Sequence, residues 1–147
     1  MKFFKIKIIV ASFILFFACT QIVADEYKDA LKRAEKEDKP IVLYFYSSFC
    51  GFCDLMDRGV LNDKEIEPML KKDVVYVRIS VDKRTELPRR YGVRGYPTIS
   101  LLDPSGRRIV QIPGYVPKND FKRILQFLKG KHYKMMTFGE FMDGWKH

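Results

Sequence analysis

Two cysteines three residues apart, in Cys50-Gly51-Phe52-Cys53, are the side chains of this chain best suited to covalent chemistry. On a helix that spacing puts both sulfurs on one face, so a disulfide can close and reopen within a single turn. Zinc uses the same spacing but needs two further ligands. The two histidines, His132 and His147, lie far along the tail and are not paired at ligand spacing, so no metal or other cofactor is expected. At the first turn of a helix Cys50 meets unpaired backbone N–H groups and the positive end of the helix dipole. Both favour a thiolate and make it the attacking sulfur. Cys53, one turn further, is placed to resolve the mixed disulfide that results.

The elements that must hold this pair can be read from apolar patterning. The run Ile41-Val42-Leu43-Tyr44-Phe45-Tyr46 directly before the motif reads as a buried strand over 41–47. Residues 25–38 ahead of it are charged and helical, with Tyr27, Leu31 and Ala34 on one stripe. A helix from Cys50 through Met56 is expected to be interrupted at Gly59 and to resume from Asp63 to Leu70. Residues 74–81 form a second β-branched strand, and a short helix follows near 86–91. Residues 98–102 and 108–112 read as a hairpin through Asp103-Pro104-Ser105-Gly106, whose residue types favour a tight turn. A helix from Pro117 places Phe121, Ile124, Leu125 and Leu128 inward, and a small helix over 138–142 closes the chain. Strand–helix alternation gives parallel pairing in the first half and the hairpin an antiparallel part. The expectation is an α/β fold, a three-layer α/β/α sandwich around a mixed central sheet.

The 147 residues suit a single domain, preceded by a leader. Lys2, Lys5 and Lys7 make a basic start, Ile8 to Ala18 is nearly all apolar, and no acid occurs before Asp25. That is the build of a secretory signal, residues 1–24, with cleavage after Ala24. The apolar run falls short of the roughly 20 residues of a membrane span. An alternative is a lipid anchor at Cys19, because Phe16-Phe17-Ala18-Cys19 has the form of a lipoprotein cleavage box. The domain would then occupy 25–130, with 131–147 as its C-terminal extension. The expected location is exported, periplasmic or secreted. After cleavage Cys50 and Cys53 are the remaining cysteines, and the loop they close is too short to stabilise much, so the pair reads as redox-active. The formal charge of +9 loses three lysines with the leader, and the rest is scattered among acids. With no basic block and interleaved aromatics, nucleic acid is not an expected partner.

Tyr91-Gly92-Val93-Arg94-Gly95-Tyr96-Pro97-Thr98-Ile99 is the second motif, about 45 residues after the first. With both in place, residues 39–129 resemble the thioredoxin superfamily, thioredoxins and protein disulfide isomerase domains in particular. The turn and Gly114 after the hairpin are also similar to the C-terminal domain of periplasmic thiol:disulfide interchange reductases. The resemblance implies a cis Pro97 beside the disulfide that presents backbone to a substrate strand. It further implies a substrate surface made of Phe49, Gly51, Phe52, Tyr96, Pro97 and Gly114, with Tyr115 nearby. Departures from the family pattern concern electron flow and proton transfer. Phe49 replaces a Trp, and Phe52 replaces the Pro of thioredoxins or the His of isomerases. Asp54 replaces a Lys. Tyr44 stands where thioredoxins carry a buried acid, so a proton acceptor for Cys53 would have to be water or another group such as Asp54.

The functional expectation is an exported thiol–disulfide oxidoreductase, a monomer reducing disulfide-bearing protein substrates and reset by a membrane or periplasmic electron donor. A disulfide oxidase or isomerase is the rival with the same chemistry. A protein-binding module that uses the fold with little turnover is the rival of a different class.

Overall fold

The structure is a computed structural model that describes residues 26–83 and 86–144. The expected leader, with Ala24 and Cys19, lies outside the described residues. Helix α1 (26–37) is followed by β1 (Ile41–Tyr46), α2 (Gly51–Met56), a π turn (Asp57–Leu61), α3 (Ile66–Lys72) and β2 (Val75–Ser80). Then come α4 (Leu87–Arg90), β3 (Thr98–Leu102), β4 (Arg108–Pro113), α5 (Lys118–Lys129), a 3₁₀ turn (His132–Lys134) and α6 (Phe138–Asp143).

The strands form one sheet in the order β2-β1-β3-β4. β1 and β2 are parallel, with Ile41 opposite Val75 and Tyr46 opposite Ser80. β3 runs antiparallel to β1, Phe45 opposite Thr98, and β4 antiparallel to β3. Strand β1 is central and apolar on both faces, and its alternation sorts the core into two halves. Ile41, Leu43 and Phe45 pack with Tyr27, Ala30 and Ala34 of α1, Leu87 of α4 and Tyr91 just after it. Val42 and Tyr44 pack on the other face with Met56, Val60 and Leu61, with Ile66 and Leu70 of α3, and with Phe121, Ile124, Leu125 and Leu128 of α5. The sheet is therefore mixed and covered on both faces, the three-layer α/β/α sandwich expected from the sequence.

One expectation fails locally. Gly59 does not break the helix after Met56. The chain instead widens into the π turn, closed by the Asn62 amide donating to the Asp57 carbonyl at 3.0 Å. Burying Val60 and Leu61 against α5 and the sheet keeps the segment helical despite the glycine.

Candidate active site

The register places the functional loops at one end of the sheet. The C-terminal end of β1, the N-terminal end of β3 and the C-terminal end of β4 lie side by side, because Phe45 faces Thr98 and Thr98 faces Pro113. Residues 47–50, Tyr96-Pro97 and Gly114-Tyr115 all leave that edge. It is also the carboxyl end of the parallel β1–β2 pair, the usual place for chemistry in α/β sheets.

Cys50 is the N-cap of α2, and a disulfide joins it to Cys53. Its Sγ accepts the Cys53 amide N–H at 3.1 Å, while its carbonyl accepts the amides of Cys53 and Asp54 at 3.0 and 3.1 Å. Cysteine thus takes the capping place usually held by Ser or Asp, and its sulfur shares the Cys53 N–H with its own carbonyl at the open start of the helix. Cys50 is half-exposed and Cys53 is 2% exposed. One sulfur meets solvent and the other lies beneath it.

The residues around the pair are apolar and open. Phe49 is 95% exposed and Phe52 62%, and Leu55, Tyr96 and Tyr115 are exposed as well. Gly51 is exposed. The Tyr96–Pro97 bond is cis, Pro97 is buried, and its carbonyl accepts the Gly114 amide at 2.7 Å. Gly114 holds φ +89, a left-handed conformation that only glycine adopts without strain. Thr98 Oγ1 donates to the Gly95 carbonyl at 2.7 Å and closes the turn before β3.

Three residues that sequence reasoning passed over also build the site. Asp82, just past β2, accepts from the Ser48 amide at 2.6 Å and Ser47 Oγ at 2.7 Å, and so holds the loop leading to Cys50. The Ser48 amide foremost, with the Ser47 hydroxyl, keeps the Asp82 carboxyl below its ordinary range. Asp57 and Arg78 pair at 2.7 Å on the sheet side of α2. Arg78 lies over the rings of Tyr44 and Tyr46, which stack on each other. Tyr44 donates its hydroxyl to the Cys53 carbonyl at 3.3 Å. Burial foremost, and then the Asp57 charge, push the Tyr44 phenol well above its ordinary value. Asp54, the acid next to the motif in sequence, turns outward and pairs with exposed Arg58 at 2.8 Å. Among the described residues, no group of His, Cys, Asp and Glu is arranged to hold a metal ion.

A sheet of this topology with a Cys-x-x-Cys disulfide capping the helix after its central strand is the arrangement of a thioredoxin-like thiol–disulfide oxidoreductase. The Thioredoxin-like domain family model matches residues 27–129, and the chain belongs to that family. It is similar to the thioredoxin of Mycoplasmoides gallisepticum, 28% identical over 99 residues that cover 67% of this chain and 94% of that protein. Its fold is similar to that of a thioredoxin-fold protein from Helicobacter pylori, with a TM-score of 0.66 at 23% identity, 74% of this chain and 80% of that one being covered. The C-terminal domain of DsbD from Neisseria meningitidis, in its reduced form, gives a TM-score of 0.61 at 28% identity, covering 71% of this chain and 96% of that one.

Proposed function

We propose that this protein is exported and reduces disulfides in other proteins through the Cys50–Cys53 dithiol. The observation that carries the reading is the division of labour between the sulfurs. Cys50 is half-exposed at a helix start with an amide N–H on its sulfur, and Cys53 is buried one turn on. In the dithiol form the same N–H and the helix end favour the Cys50 thiolate. That thiolate attacks a substrate disulfide and forms a mixed disulfide, one substrate thiol leaving. Cys53 then attacks Cys50 Sγ, and the second substrate thiol departs.

Phe49, Phe52, Tyr96 and Tyr115 offer apolar contact to a partially unfolded or extended substrate. Because the Pro97 carbonyl is already taken by Gly114, a substrate strand would pair with the Tyr96 backbone, with Pro97 fixing its position. Reduction as the direction is supported by the similarity to the DsbD C-terminal domain and by the absence of His between the cysteines. Export is supported by the basic-then-apolar N-terminus, and a membrane or periplasmic donor would return the electrons.

Insulin reduction with dithiothreitol tests the class. Wild type should accelerate precipitation and Cys50→Ser should not; equal inertness of the two removes the catalytic reading. Equilibration with glutathione tests direction, since a potential above about −150 mV would instead mark an oxidase or isomerase. A Cys53→Ala variant should accumulate mixed disulfides whose partners identify the substrates.

A further inference from the structure

Four arginines gather beside the loop that carries Pro97. Arg89 and Arg90 end α4, Arg94 follows in the loop leading to Tyr96, and Arg108 begins β4. Arg108 Nη1 donates to the Tyr91 carbonyl at 3.2 Å and to Gln111 Oε1 at 3.4 Å, which draws the start of β4 onto the end of α4. The four together line a concave surface of about 550 Å³, and no carboxylate lines it. All four are exposed, and among the described residues none of Arg89, Arg90 and Arg94 is joined to an acid in an ion pair. Cations in the last turn complement a helix dipole, which accounts for Arg89 and Arg90 but not for Arg94 or for Arg108 joining them. The cleft beside β2, about 500 Å³, shows the opposite arrangement. There Lys39, Lys71 and Arg78 are each tied to an acid, Glu37, Glu67 and Asp57 in turn. Crowded cations without counter-charges repel one another, and an anion docked among them relieves the repulsion.

We propose that this arginine patch recognises an acidic segment flanking the target disulfide of a protein substrate. The inference rests on the thiol–disulfide exchange reading and names the class of substrate the site selects. The patch is continuous with the substrate surface, because Arg94 stands two residues before Tyr96, whose backbone would hold the substrate strand. An extended chain advances about 3.3 Å per residue, so an Asp or Glu roughly two to four residues from the one held at Tyr96 comes within reach of the arginines. Each guanidinium can give a carboxylate two parallel N–H bonds, which a lysine cannot. The concave shape suits side chains entering it, whereas a bilayer surface calls for a flat or protruding face. The patch would act on encounter rate and on choice among substrates, and the sulfur chemistry at Cys50 and Cys53 stays the same.

The test uses two synthetic peptides, each with one cysteine held as a mixed disulfide with thionitrobenzoate and differing only in a flanking run of Glu or of Gln. Attack by Cys50 of the reduced protein releases the coloured thiol, and the ratio of the two rates is the readout. At low salt wild type should favour the Glu peptide on the order of tenfold, and the preference should fade in 1 M salt, where screening acts beyond about 3 Å. Arg89→Gln/Arg90→Gln/Arg94→Gln should abolish the preference. Lys64→Gln/Lys71→Gln/Lys72→Gln removes the same charge at α3, across the sheet from α4, and should keep it. A wild type without preference, or an equal fall in both variants, overturns the proposal. Should the arginine variant not fold, a cysteine-free Glu peptide is titrated into wild type. The Nε–Hε NMR signals of the four arginines should shift, and unmoved signals overturn the proposal. Signals that answer to phosphatidylglycerol vesicles and not to the peptide overturn it too, by assigning the patch to a membrane surface. A wild type that releases thionitrobenzoate from neither peptide would overturn the exchange reading, while the arginine titration still decides whether the patch takes acidic peptide.

Discussion

Asp82 shows how one exposed side chain can matter to a redox site without touching a sulfur. Its two oxygens hold Ser47 and Ser48, the link between the central strand and the Cys50 cap, and the Ser48 amide bond is charge-assisted and short at 2.6 Å. Removing the carboxylate in Asp82→Ala should let the Ser48 amide exchange with solvent on the order of tenfold faster, while amides in the middle of β1 keep their protection. The wild-type bond has a definite pH sense. A carboxyl held below its ordinary range by these donors keeps the loop pinned above that range and lets go as pH falls through its own lowered value. Ser48 protection should thus fall at low pH in wild type and stay flat in Asp82→Ala. Two residue-level features behave differently as sequence signals. Cys50 and Cys53 are legible because residue type and spacing already specify what their atoms can do. Asp57 and Asp82 are not, because an aspartate after a strand or inside a charged helix has the same appearance whether it faces water or a neighbouring loop.

At the scale of elements, the strands and the long helix follow from composition, since β-branched runs and an i, i+3, i+4, i+7 stripe leave little choice. The π turn does not, because its wider winding is set by Val60 and Leu61 finding burial and not by any propensity of Arg58 or Gly59. Sheet order is equally silent in the sequence: β3 lies between β1 and β4 although β2 precedes it in the chain. The β3–β4 hairpin brings Pro97 beside Gly114, and its turn is locked by Asp103. That buried carboxylate accepts from the Ser105 amide and hydroxyl at 2.9 and 2.6 Å, and from the Arg107 amide and Nε at 3.0 and 2.8 Å. Burial acts to raise its pKa, yet the Ser105 and Arg107 donors hold it below the ordinary range. Asp103→Asn keeps the shape and loses the charge, so urea unfolding at neutral pH should show a loss of about 1–3 kcal/mol. The sign follows from the lowered folded value: the contribution is complete above about 3.9 and disappears as pH falls through the folded pKa. Wild type and variant should therefore converge in acid, and a gap that stays constant with pH would mean the aspartate charge is not what locks the turn.

For the whole molecule, the open question is what the segment after α5 contributes, since the matched family region ends at residue 129. Its aromatic rings close over α5. Phe127 is fully buried, with ring centroids of Phe141, Phe138 and Tyr133 at 5.1, 5.5 and 6.2 Å. α6 is fixed independently by a capping box, Thr137 receiving the Glu140 amide while Glu140 receives the Thr137 amide. Arg123 of α5 also donates to the Met142 carbonyl at 2.5 Å. The segment thus completes one half of the core instead of trailing from it. Ending the chain after Gly130 should expose Phe127 and lower stability by about 2–4 kcal/mol, from lost apolar burial and ring–ring contact. Phe127→Ala in the full chain should cost about 3–5 kcal/mol as a large-to-small core change. Because both changes dismantle the same cluster, combining them should cost clearly less than the sum, which denaturant titration of the four proteins measures as a double-mutant cycle. Additive losses would mean that Phe127 is held by the sheet-side core alone and that the C-terminal rings stabilise something else.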